Sequence, residues 1–453
     1  MIMKSTNKKI SKTFGIKLLT VLIISLGLMT ACAPPKSPEE VGATDPELLR
    51  ESVKVLTEVM VNDIFSPPVA SRVYVYSSVA AYEAVALNND DYNSLAGQVH
   101  ELTEGPKAGE NVNLEIAGLH AFLTTGEELI FTTDEISMYR DSLYQDFLDK
   151  GLSKKVLNAS KEYGQQVADH IISWANKDNY KETRGTQKYV VTDEPGRWVP
   201  TPPQYMDAIE PNWDKIRTMV LESPDQFKPV PPVPFSMEKG SEFYKQVMAV
   251  YDAVEKAESE HIAIAKFWDC NPFATRVKGH FMFAIKKITP GGHWMGITSI
   301  VTRDNEDDFA KTAAAYAETS IALFDAFISS WDEKFRSNLI RPETVINKYI
   351  DADWAPLLQT PPFPEYTSGH STISRAAAEV LTKIYGPEVY FEDTTELDYG
   401  LPVRSFNSFI EASDEAAISR IYGGIHYPMA ATHGITQGEG VGKFVADNLI
   451  LSK

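Results

Sequence analysis

Between residues 305 and 331 the chain places Phe309, Ala313, Tyr316, Ala317, Ser320, Leu323, Phe324, Phe327 and Trp331 at helical spacing. One α-helix of that length runs for about 40 Å, and its apolar face must be covered by other elements. The same period recurs over 44–62, where Thr44-Asp45-Pro46 is a start signal, and over 68–87, 113–124, 134–175, 239–254 and 257–268. Alternation fit for a strand is confined to Lys188-Tyr189-Val190-Val191-Thr192. The Pro-rich stretches 194–203 and 224–236 read as long connections. These features predict an all-α fold of two packed four-helix-type bundles in one compact unit. An N-terminal helical half covers 47–236 and a C-terminal half covers 237–453.

Residues 1–31 stand apart. Lys4, Lys8, Lys9, Lys12 and Lys17 precede a nearly unbroken apolar run from Leu18 to Met29. That run is too short for a good membrane span and has the form of a signal peptide. Leu28-Met29-Thr30-Ala31-Cys32 resembles a lipobox, which predicts a lipid on Cys32, and 32–46, opening Ala33-Pro34-Pro35, reads as a tether. The expectation is a lipoprotein anchored to a membrane at Cys32 in the periplasm or on the cell surface. With Cys32 lipidated, Cys270 has no disulfide partner.

The formal net charge of −19 excludes nucleic acid and other polyanions as general partners. An anion site on such a surface has to be local and shielded. The residues for one lie between 334 and 426. Lys334 and Arg341 are seven apart, which puts both on one face of a continuing helix, and Pro342 sets Arg341 at the helix end. Ser368-Gly369-His370 falls between Pro361-Pro362-Phe363-Pro364, which cannot be helix, and an Ala-rich helical run from Ser371 to Ile384. The free N–H groups and dipole of a helix N-terminus attract an anion there. Ser413-Asp414-Glu415 starts a further helix that carries Arg420 and ends at Gly423-Gly424, just before His426.

Lys-x6-Arg-Pro, then Ser-Gly-His, then Ser-Arg-x5-His, in that order, resemble the signature shared by vanadium-dependent haloperoxidases and the membrane-type and acid phosphatases of the same superfamily. The match covers about the last 120 residues. The resemblance implies that Lys334, Arg341 and Arg420 hold the oxygens of vanadate, helped by the Ser368 hydroxyl and the Gly369 N–H. It makes His426 the metal ligand and His370 the acid–base. Trp331, three before Lys334, and Phe363, five before Ser368, resemble the aromatic wall of the haloperoxidase pocket. Phe273 and His293 fall in segments similar to ones in bacterial, flavobacterial iodoperoxidase-like lipoproteins, and the resemblance implies that both line the halide pocket or its entrance. The activity implied is oxidation of iodide by hydrogen peroxide to a hypohalous acid equivalent, with bromide the harder substrate.

Two departures stand out. Thr367 replaces the usual Pro before Ser-Gly-His, in a position to cap the helix. Ala430 stands where the family commonly has Asp, so another group must orient His426. Two other functions fit parts of the pattern. A phosphatase would use His426 as nucleophile and pass through a phosphohistidine to hydrolyse phosphomonoesters. A non-catalytic glycan-binding lipoprotein would use aromatics such as Trp213, Tyr205 and Tyr244, yet has no need of this cation and histidine spacing.

Overall fold

A computed structural model describes residues 34–192, 194–278 and 281–453. The leader and Cys32 lie outside the described residues. Fourteen helices carry the described chain. Those of the N-terminal half are α1 (Glu47–Asn62), α2 (Pro67–Ala86), α3 (Leu114–Leu129), α4 (Asp134–Lys150), α5 (Lys154–Ala175) and the single turn α6 (Tyr180–Thr183). Then come α7 (Glu242–Glu255), α8 (Ser259–Phe267), α9 (Pro290–Asp304), α10 (Phe309–Ser337) and α11 (Pro342–Tyr349). The last three are α12 (Gly369–Tyr385), α13 (Phe409–Tyr422) and α14 (Pro428–Asn448). Among the described residues none of these is long and apolar enough to cross a membrane.

α10 is the axis of the molecule. Asp308 accepts the Lys311 N–H at 2.8 Å to start it, and Asn338 ends it in the left-handed conformation at φ 49°. Its sequence predicts one apolar face, but every residue from Thr312 to Trp331 is buried. The reason is its place between two groups of helices, with α2 on one side and α12 on the other. One core therefore runs from Val41 to Leu451 through both halves.

Elsewhere the sequence reading shifts in detail. The periodic stretch 134–175 is two helices, because Gly151 at φ 110° terminates α4. α13 starts earlier than Ser413-Asp414-Glu415 indicates, since Ser408 accepts the Glu411 N–H at 3.0 Å. Residues 188–192 form no strand: Val190 and Val191 are both exposed, so the alternation has no face to bury. Among the described residues the strands form two small antiparallel pairs, β1 (Thr275–Lys278) with β2 (Phe281–Ala284) and β3 (Phe391–Asp393) with β4 (Arg404–Phe406).

Two features hold the site in place. The long connection between the halves is fastened to α10. The fully buried Asp325 carboxylate accepts the N–H groups of Met219, Val220 and Leu221 at 2.7, 2.8 and 3.0 Å. At the other end, Gly434, Gly438 and Gly442 form a stripe on α14 against α12. A Cβ on Gly438 would lie 2.1 Å from the Thr372 carbonyl oxygen, and one on Gly434 2.9 Å from that of Ser368. The stripe lets α14 approach close enough to clamp the start of α12.

Candidate functional site: a cation-lined pocket at the start of α12

Ser368 is the N-cap of α12. Its hydroxyl accepts from the Ser371 N–H at 3.3 Å and lies 2.8 Å from the Ser371 hydroxyl. Thr367 is therefore not the cap; its hydroxyl bonds Gln437 on α14 at 2.6 Å. Gly369 faces the Trp331 ring and Lys334, so a side chain there would fill the space over the helix start.

Lys334, Arg341 and Arg420 converge on this point, all of them buried. Lys334 and Arg341 do not share a helix, as their spacing predicts. α10 stops at Ser337, and Arg341 is the N-cap of α11 with extended backbone, since Pro342 cannot continue the earlier helix. Backbone carbonyls hold each cation. Lys334 donates to those of Pro364, Glu365 and Thr367. Arg341 donates to Phe363 and Ile425, both at 2.9 Å, and Arg420 donates to Trp268 at 2.6 Å. Phe363 sits between Lys334 and Arg341, each about 5.1 Å from its ring centre, and packs on Trp331 at 5.0 Å. Burial and the Arg341 charge hold the Lys334 ammonium well below its usual pKa, and burial brings Arg341 down to about 10.

Both histidines open on this charge. The His426 Nδ1 is 2.9 Å from Glu365 Oε1, which also accepts the Tyr427 N–H at 2.9 Å. A carboxylate at Nδ1 assigns the ring proton to that nitrogen and leaves the Nε2 lone pair facing the pocket, 3.2 Å from the Arg341 guanidinium. Burial, then Arg341, Lys334 and Arg420, push His426 well below its usual pKa. Burial and Arg420 do the same to His370. The His370 Nε2 and the Arg341 Nη2 are buried with no protein partner among the described residues. An oxyanion would satisfy the Arg341 donor, and a protonated oxygen of the same group would satisfy the neutral His370 Nε2.

Phe273, Phe327, Trp331 and Phe363 wall the cavity in front of His370, Arg420 and His426. Of the residues the sequence singles out, His293 is not in this wall. It lies buried behind Trp268, whose ring stacks on it at 4.5 Å, and bonds Asp393 instead. Trp213 is fully buried against Phe324, so it cannot serve as a sugar platform. Glu365 is the residue the sequence reading misses. It supplies from the α12 side the carboxylate that Ala430 lacks, while the Ala430 carbonyl accepts the Ser368 N–H at 3.1 Å.

The family model for the second helical-bundle domain of vanadium chloroperoxidase matches residues 314–450. A solved bacterial vanadium-dependent iodoperoxidase is 54% identical, covers 90% of this chain and 97% of its own, and superimposes with a TM-score of 0.86. This chain is a vanadium-dependent haloperoxidase. A bacterial vanadium-dependent chloroperoxidase in its holo form shares the fold at a TM-score of 0.64, with 17% identity over 88% of this chain and 92% of its own. The comparison with curated proteins found no match. As a haloperoxidase the chain is an enzyme, and the all-helical architecture is that of its family.

Proposed function

We propose that the pocket binds vanadate and that the enzyme oxidises iodide with hydrogen peroxide to a hypohalous acid equivalent. The observation that carries this reading is the Nε2 lone pair of His426, set by Glu365 and facing three buried cations. The orphaned His370 Nε2 and Arg341 Nη2 fit a tetrahedral oxyanion in the same space. Bound vanadate supplies a Lewis acid that activates peroxide toward a halide.

The chain's own residues do the rest. His426 Nε2 is the ligand atom, and Glu365 keeps it free of a proton. Lys334, Arg341 and Arg420 neutralise the anion, while Ser368 and the Gly369 N–H at the start of α12 bind its oxygens. His370, held neutral, takes up and returns a proton at Nε2 as peroxide enters. Trp331, Phe363 and Phe273 exclude water and favour a soft, polarizable halide over a hydrophilic phosphoester. The iodoperoxidase of known structure, similar over nearly its whole length, supports iodide as the halide.

Vanadate-free protein loaded with orthovanadate is expected to form triiodide only when peroxide is present, with phosphate as competitor. Turnover of p-nitrophenyl phosphate without triiodide formation would make it a phosphatase instead. We also propose that residues 1–31 are a signal peptide and that Cys32 carries the lipid anchor, which places the enzyme in the periplasm or at the cell surface. Fatty-acid labelling of the expressed protein tests this, and Cys32→Ser should abolish it.

A further inference from the structure

We propose that Cys270, His293 and Glu396 form a second metal site, for a divalent zinc-type cation, adjoining the vanadate pocket, whose lining includes Cys270. Cys270 comes from the segment after α8, His293 from the first turn of α9 and Glu396 from the turn after β3. All three are buried, and their ligand atoms lie within 4.8 Å of one another. The Cys270 Sγ is 3.5 Å from His293 Nδ1 and 3.9 Å from Glu396 Oε1, and Nδ1 is 3.3 Å from the same oxygen. A tetrahedral zinc ion with ordinary bond lengths holds its sulfur–nitrogen, nitrogen–oxygen and sulfur–oxygen pairs about 3.6, 3.3 and 3.5 Å apart. The three side chains therefore already sit close to ligand spacing.

The far side of the ring supports the same reading. His293 Nε2 donates to Asp393 Oδ2 at 2.7 Å, and Asp393 is in turn fixed by the Thr395 N–H at 3.0 Å. A carboxylate behind a histidine is the usual support for a metal-bound ring, and it directs Nδ1 at Cys270 and Glu396. In the metal-free protein the Cys270 thiol donates to Glu396 at 3.9 Å and lies at hydrogen-bond distance from His293, and a cation would replace both contacts. Binding breaks the S–H bond of Cys270 and any N–H bond at His293 Nδ1, forms bonds from the cation to S, N and O, and sends the protons to solvent. No oxidation is involved, and loss of two protons offsets the added charge. Glu396 also lines a surface cleft together with Asp269, Thr395 and Asp398, which offers an entry path. A bound cation would tie α8, α9 and β3 together behind Trp268, whose carbonyl holds Arg420.

The test uses untagged full-length protein and the metal alone. After zinc loading and dialysis, elemental analysis should find one zinc per chain, and the same in His426→Ala, which removes the vanadium ligand. Cobalt loading should give a thiolate-to-metal absorption band with tetrahedral intensity. Cys270→Ser should lose that band. Asp393→Asn should bind the cation roughly 10- to 100-fold more weakly. If Cys270→Ser does not fold, Glu396→Gln serves, keeping the band but binding at least about 10-fold more weakly. Wild-type protein that retains no zinc, or a cobalt band that survives Cys270→Ser, overturns the site. Loss of zinc in His426→Ala would also overturn it as a separate site, whereas failure of iodide oxidation in zinc-loaded wild type bears only on the vanadate reading.

Discussion

Two buried histidines, His426 and His293, are built alike. Each has one ring nitrogen within 2.9 Å of a carboxylate, Glu365 in one case and Asp393 in the other. Yet His426 is driven well below its usual pKa and His293 well above it. Burial disfavours the charged ring at both, so the difference comes from the surroundings. Arg341, Lys334 and Arg420 outweigh Glu365 at His426. At His293 Asp393 is joined by Glu396, and the ring becomes the local cation. A histidine–carboxylate pair thus has no charge state of its own; the second layer of charges decides whether the ring offers a lone pair or a proton.

The largest effect that would break this comparison is at the pocket ring. His426→Ala is expected to abolish vanadium retention, read by elemental analysis after gel filtration; stoichiometric vanadium in that variant would remove His426 as the ligand. Glu365→Gln leaves the ring but not its fixed tautomer, and should weaken vanadate binding roughly 10- to 100-fold, measured by titration of recovered activity. Unchanged affinity would mean that the Arg341 contact alone orients His426.

The two rings should also bend the pH dependence of stability in opposite directions, in protein free of metal and vanadate. A depressed histidine contributes stability that is present above its unfolded value of 6.5 and is lost as pH falls. A raised one contributes stability that is present below 6.5 and lost as pH climbs through its folded value. Denaturant unfolding across pH should therefore show His426→Gln flattening the acid limb and His293→Gln the alkaline limb, each by up to about 1.4 kcal/mol per pH unit. Equal slopes in both variants would refute the comparison. The smallest effect is a control on α10. Glu318 is buried, and burial raises it to about 7, eased by Lys383. Its contribution is present below its unfolded value of 4.5 and lost as pH rises through 7. Glu318→Gln should match wild type near pH 4.5 and exceed it at pH 8 by roughly 1–3 kcal/mol.

Much of the fold was legible because helical period is a local property. The stretch 305–331 announces α10, and Ser368 before an Ala-rich run announces the start of α12. The β1–β2 and β3–β4 pairs were not legible, since strands of three or four residues carry too little alternation to register. That α10 is buried on all sides was also hidden, because its Ser and Thr positions read as a polar face until two bundles close over them.

The sequence by itself determined which groups could make an oxyanion pocket. Lys334, Arg341, Ser368-Gly369-His370, Arg420 and His426 keep family spacing within each segment, and the cap at Ser368 follows from local chemistry. Only the tertiary structure decided what those groups are in one another's presence. Glu365 lies in a Pro-rich connection 61 residues before His426, and no local rule aims its carboxylate at that ring. Asp393 and Glu396 likewise reach His293 from about 100 residues away. Charge acts through space in a medium of low polarisability, so the protonation of a buried ring depends on neighbours that the chain order does not name.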